Sequence, residues 1–178
     1  MRWVMNHKYT AMDVANFIIE YANNEANNLT DYALTPLKLQ KILYYVAAEY
    51  FKKFEERLFS ENFQKWQYGP VVKEVYHEFK PFGFHHIAKP KATLEEGSGP
   101  SINFVRKDFD SKSLASNVNF MDVVENVIKK YMPWKAFDLV ERTHAEDAWK
   151  DFESDIMKGI ELIYSDAELV SAKSINDK

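Results

Sequence analysis

One stretch limits what this chain can fold into more than any other: TPLKLQKILYYVAAEYFKKFEER, from Thr35 to Arg57. Thr35 is a good helix N-cap, and Pro36 sits at the first helical position, where its missing N–H costs nothing. From Leu37 onward the run contains no Gly or Pro and many strong helix formers. At about 100° per residue, Leu39, Ile42, Leu43, Val46, Tyr50 and Phe54 form the centre of an apolar face. Leu37, Tyr44, Ala47, Ala48 and Phe51 widen it past half the circumference, leaving a strip of Lys38, Lys41, Tyr45, Glu49 and Lys52. A helix this broadly apolar must be packed on two or three sides. The expected fold is therefore mainly α, a compact single domain built around one central helix at about residues 35–57.

Gln40 interrupts the apolar arc between Ala47 and Phe51. A buried carboxamide costs on the order of 1–3 kcal/mol unless its donors and acceptor find partners. It is read either as a satisfied core amide tying the helix to a neighbouring loop or as a polar group lining a pocket.

With 178 residues and 46% hydrophobic composition, the chain can bury one real core. Its 13 Phe, 10 Tyr and 4 Trp suit a helical core filled by rings. The absence of Cys excludes disulfides, thiolate chemistry and cysteine-based zinc sites. The apolar runs are too short to span a bilayer, and no signal-peptide core is recognisable at the N-terminus, so a cytoplasmic location is expected. A formal net charge of −4 disfavours a dedicated nucleic-acid binder.

In chain order, residues 1–9 read as a lead-in. Thr10 and Asp13 form a capping-box variant opening a helix at about 11–23, followed by a polar loop at 23–31. Residues 58–68 have rings but no helical period and read as irregular or partly extended. Gly69-Pro70 marks a turn with Pro70 starting a helix whose apolar face is Val71, Val72, Val75, Tyr76 and Phe79, ended by Pro81 and Gly83. Short strands at about 84–88 and 102–106 suggest a small hairpin. Asn119 reads as the cap of a helix reaching about Met132, and a further short helix starts at Trp134. Thr143 to Trp149 is a compact turn, with Thr143 and Glu146 as a capping box. Ser165 caps a last helix before a frayed tail, which gives an expected main domain of 10–165 followed by 166–178.

Chemistry-bearing patterns are sparse. His77-Glu78 lacks the second His that a zincin helix needs, and adjacent His85 and His86 diverge on a strand. No Gly-rich phosphate loop and no GxSxG elbow is present. No metal, cofactor or catalytic residue is therefore assigned. Glu146, Asp147 and Asp151 near His144 form an acid–base constellation only in composition, since Thr143 with Glu146 reads better as a cap.

Four stretches taken together resemble a known family: DVANFII (13–19), LTPLKLQKILYYV (34–46), LFSENFQKWQYGPVVKEVY (58–76) and THAEDAW (143–149). In this order and spacing they look like the Panacea or SocA-like antitoxin domain, which includes phage-associated GepA-type proteins. The most specific element is Trp66-x-Tyr68-Gly69-Pro70-Val71 following the Leu37-x-Leu39-Gln40-Lys41 helix. The resemblance implies a mainly helical fold and a role as antitoxin in a two-gene system paired with a cognate protein toxin. Its motif residues here are Leu37, Leu39, Gln40, Lys41, Tyr44, Tyr45, Trp66, Tyr68, Gly69, Pro70, Val71, Thr143, His144 and Trp149. Lys65, where the family has a small residue, and Ala148, where it has Pro, depart from the family pattern; the departures are compatible with surface drift and weaken the case for a shared binding surface.

The leading expectation is a non-enzymatic type II antitoxin that blocks a toxin by direct binding, with no membrane or cofactor. The alternatives are a phage-associated regulator that binds DNA or a host factor, and an enzyme with a site at Gln40, Tyr68 and His144. Trp66, Tyr68 and Gly69-Pro70 are expected to pack as a turn on the core helix, with Trp66 buried. Gln40 is expected to bond to that turn or to the 143–149 segment. Lys38, Lys41 and Tyr45 are the expected partner-binding positions, on the supposition that their strip faces outward.

Overall fold

The strip of Lys38, Lys41 and Tyr45 does not face outward. In the computed structural model, which describes residues 7–25 and 33–178, every residue from Lys38 to Ala48 is buried. Their helix, α2 (Pro36–Phe54), packs against α1 (Ala11–Glu25), α3 (Lys73–Phe79), α5 (Val118–Tyr131), α6 (Ala136–His144), α9 (Asp166–Val170) and strand β2 (Gly69–Val71). Neighbours on so many sides cover the polar strip along with the apolar face, which removes the exposure on which the partner-binding expectation rested. Among the described residues the fold is mainly α with two small two-stranded antiparallel sheets.

Both early helices start as their sequences require. Thr10 and Asp13 exchange hydrogen bonds of 2.9 and 3.1 Å between backbone N–H and side-chain oxygen. Thr35 Oγ1 accepts from the Lys38 N–H at 3.3 Å, with Pro36 at the first helical position. Helix α2 stops at Glu55, which takes a left-handed φ of 56°, short of Arg57. The expected lead-in and polar loop lie partly outside the described residues, over 1–6 and 26–31.

The segment expected to be irregular is a hairpin. β1 (Gln64–Trp66) pairs with β2 in the register Gln64–Val71, Lys65–Pro70 and Trp66–Gly69, closed by Gln67 and Tyr68. Pro70 therefore lies in a strand and does not start a helix. Gly69, at φ +90°, turns the chain back on itself, and α3 begins only at Lys73. The outer edge of β1 is covered as well, since the Lys65 N–H donates to Leu162 O and the Tyr164 N–H to Phe63 O, both at 2.8 Å.

The second hairpin joins β3 (Thr93–Glu96) and β4 (Phe104–Lys107). One strand falls near its expected place and the other does not. Residues 84–88 form no strand because their polar groups are engaged elsewhere: the Ile87 N–H donates to Leu34 O at 3.0 Å, and His86 Nδ1 accepts from the Leu34 N–H at 2.9 Å.

A short helix, α4 (Lys112–Ala115), precedes α5, whose cap is Asn117 and not Asn119. Asn117 Oδ1 accepts from the Phe120 N–H at 3.1 Å, which places Asn119 inside the first turn. After Pro133 come α6, α7 (Asp147–Lys150) and α8 (Glu153–Met157). Ser165 and Glu168 form a reciprocal capping box at the start of α9. The last residues are held and not frayed. Arg142 donates to Ser174 O at 2.7 Å, and the Ile175 N–H donates to Glu49 Oε1 at 3.3 Å.

Lys65 is not a surface substitution. Its ammonium is buried, paired with Glu168 at 2.7 Å and 3.5 Å from the centre of the Phe152 ring. Ala148 is buried too.

Candidate partner-binding cleft

The polar side chains of α2 hold the first hairpin in place. The Val72 N–H donates to Gln40 Oε1 at 2.9 Å, and Gln40 Nε2 returns a bond to Val72 O at 3.3 Å, so the carboxamide acts as a neighbouring strand would. Gln40 is thus a satisfied core amide, bonded just beyond the expected turn. Lys41 Nζ donates to Pro70 O at 3.0 Å, and Lys38 Nζ to Met132 O at 3.0 Å. Burial pushes Lys41 down to about 7 and also lowers Lys38, because a low-dielectric interior disfavours the ammonium form.

On the far side, Trp149 Nε1 donates to Trp66 O at 2.9 Å. Gly69 is closely enclosed: a Cβ there would lie 2.5 Å from Thr143 Oγ1 and 2.9 Å from Lys41 Cε. The Thr143 hydroxyl donates to Val140 O at 2.8 Å within α6, so Thr143 and Glu146 do not form the expected capping box. Glu146 instead points into the core. Its carboxylate accepts from the Tyr44 and Tyr45 hydroxyls at 2.8 and 2.9 Å and from the Lys173 N–H at 3.0 Å. Burial raises the Glu146 carboxyl above its usual range, while those donors oppose the shift, and burial also pushes both phenols upward. His144 stacks on Trp149 with ring centres 3.5 Å apart, and burial lowers its titration.

Most motif residues are therefore internal. Leu39, Gln40, Lys41, Tyr44, Tyr45, Gly69, Pro70, Val71, Thr143 and Trp149 are all buried. Leu37, Trp66 and Tyr68 do reach the surface, and the three open onto one cleft of about 500 Å³. Its remaining walls come from Pro36 and Gln40 on α2, Gln67, Val71, Tyr76 and Lys80 at α3, Gly83, Phe84 and Phe137. Trp66 is half-buried, not enclosed as expected. Its ring meets Tyr76 edge-on at 4.8 Å, and its Nε1 donates to Gln64 Oε1 at 2.8 Å. The rim is unusually apolar for a surface: Tyr68 is 50% exposed, Phe137 56% and Phe84 88%.

Chemically the cleft favours binding. The Gln40 amide and the Trp66 N–H are both committed within the fold, so the walls offer rings and few free polar atoms. Gln40 and Tyr68 line the cleft but His144 does not, so the three residues of the enzymatic alternative are not brought together. Among the described residues no group of His, Asp and Glu has the arrangement to hold a metal ion. No helix of the described residues is long and apolar enough to cross a membrane. Sequence reasoning missed Phe84, Phe137 and Lys80. Phe137 carries no motif signal, and its exposure shows only against the buried Leu139, Val140, Arg142 and Thr143 of its own helix.

Comparison with curated proteins and with solved structures gives no match. The family described as antitoxin SocA-like, Panacea domain, matches residues 39–150, more than half of the chain. The chain belongs to that family.

Proposed function

We propose that this member of the SocA-like Panacea family is a non-enzymatic type II antitoxin, acting in the cytoplasm and neutralising a cognate protein toxin by direct binding through the Trp66–Tyr68 cleft. The observation that carries this reading is the division within the motif. Gln40 and Lys41 are spent holding the hairpin against α2, and Leu37, Trp66 and Tyr68, which reach the surface, converge on one aromatic cleft. Tyr, Trp and Phe are enriched where protein interfaces bury their centres, and the rim supplies all three types.

The test is co-expression with the product of the adjacent gene. The expected result is growth arrest by that product alone, rescue by this protein, and a complex that co-purifies. A neighbour harmless on its own would overturn the antitoxin reading in favour of the phage-associated regulator.

A further inference from the structure

We infer that the cleft recognises a partner segment of defined chemistry: an apolar or aromatic anchor side chain flanked by a carboxylate that pairs with Lys80. This deepens the binding reading above and rests on it.

The charge distribution carries the inference. Among the described residues, Lys80 is the one charged side chain that lines the cleft, and no carboxylate lines it. Lys80 takes part in no ion pair among those residues, although Lys91 on the neighbouring segment pairs with Glu78 at 2.9 Å. Lys73, Tyr76 and Lys80 recur at helical spacing, so they share one face of the helix and its short continuation beside Trp66. The neighbouring recess, which shares Trp66 and Gln67 with the cleft, differs in having a carboxylate, Glu161, on its lining beside Lys65 and Lys73. Unbalanced positive charge is thus left at Lys80, on a chain whose overall charge is −4. Tyr68 and Phe137 meet edge-on with ring centres 6.1 Å apart, and a ring or branched aliphatic chain seated against that pair and Trp66 displaces water from apolar walls. A basic segment would place its cation against Lys80, and a purely polar one would lie against mainly aromatic walls on which the Gln40 amide and the Trp66 indole N–H are already bonded.

The experiment selects from a random linear peptide library on the immobilised full chain, then titrates the enriched peptides while following tryptophan fluorescence. The expected winners combine Trp, Phe or Leu with Asp or Glu. Phe137→Ala should weaken them by about tenfold or more, and Lys80→Glu should weaken them similarly while favouring Lys- or Arg-bearing variants of the same peptides. Both positions are exposed, so the fold should survive, which circular dichroism verifies. Basic winners, winners indifferent to Lys80→Glu, or a selection that yields no Phe137-dependent peptide would each overturn the inference. The adjacent-gene assay reads the antitoxin role separately. If rescue fails while acidic–aromatic peptides bind, that role falls and the cleft chemistry stands. If rescue persists in both variants, the cleft chemistry falls and the role stands.

Discussion

The two hairpins of this protein have similar strand lengths and opposite fates. In β1–β2 the three residues of β2 are buried, its backbone is tied to Lys41 and that of Val72 just after it to Gln40, and its partner strand is tied to Trp149. In β3–β4 every residue of both strands is exposed, including Leu94 at 72% and Phe104 at 66%. The second hairpin is held by its own ladder and by the Lys107–Glu95 ion pair at 2.9 Å, a solvated contact worth little. A two-stranded ribbon alone is marginal in water. The first hairpin is thus a tertiary structure that happens to be β, and it can serve as a rigid wall for a cleft. The second is a local structure that little else depends on.

The sharpest test of that contrast uses one substitution in each hairpin. Gly69→Ala forces a Cβ onto buried Thr143 and Lys41 at a φ of +90°, and should cost about 2–5 kcal/mol from strain and overpacking combined. Gly97→Ala meets the side chain of exposed Asn103, which can swing aside, and should cost under about 1 kcal/mol. Urea denaturation compares the two directly, and equal losses would erase the distinction.

Gln40→Leu comes next. It keeps the apolar volume but leaves the Val72 N–H buried without a partner, while the Val72 C=O keeps its bond from the Tyr76 N–H; the loss costs about 1–3 kcal/mol. A variant as stable as the parent would show that Gln40 does not anchor the hairpin.

Lys41 adds a pH signature. Its folded value of about 7 lies below the ordinary 10.5. Between those values the unfolded chain holds more protons, so this residue makes stability rise with pH, by at most about 1.4 kcal/mol per pH unit. Lys41→Met should flatten that rise, leaving the same-sign contribution of Lys38. An unchanged slope would contradict the burial of Lys41.

The smallest effect belongs to the free hairpin. Leu94→Ser with Phe104→Ser should change stability by less than about 0.5 kcal/mol.

Local signals made much of the fold legible. Thr10, Thr35 and Ser165 announced their helices because a cap is decided by residues within one turn. The β1–β2 hairpin was hidden because its strands are only three residues long, too short for an alternating pattern, and Pro70 also suits a helix start. The strip of Lys38, Lys41 and Tyr45 was misread for a related reason. Charged and amphipathic side chains signal solvent on a lone helix, whereas these reach the Met132 and Pro70 carbonyls and the Glu146 carboxylate supplied by distant segments. The family motif located Trp66 and Tyr68, but Phe84 and Phe137 lie outside it and join the cleft only through tertiary packing.

Both surfaces expose apolar side chains, so partner binding decides between them. The most direct measurement is calorimetric titration of the adjacent gene's product against three proteins: the parent, Phe84→Ser with Phe137→Ala, and Leu94→Ser with Phe104→Ser. The predicted result is affinity lowered by about tenfold or more in the cleft variant and unchanged in the hairpin variant. Binding that survives loss of Phe84 and Phe137 but disappears with Leu94 and Phe104 would contradict it.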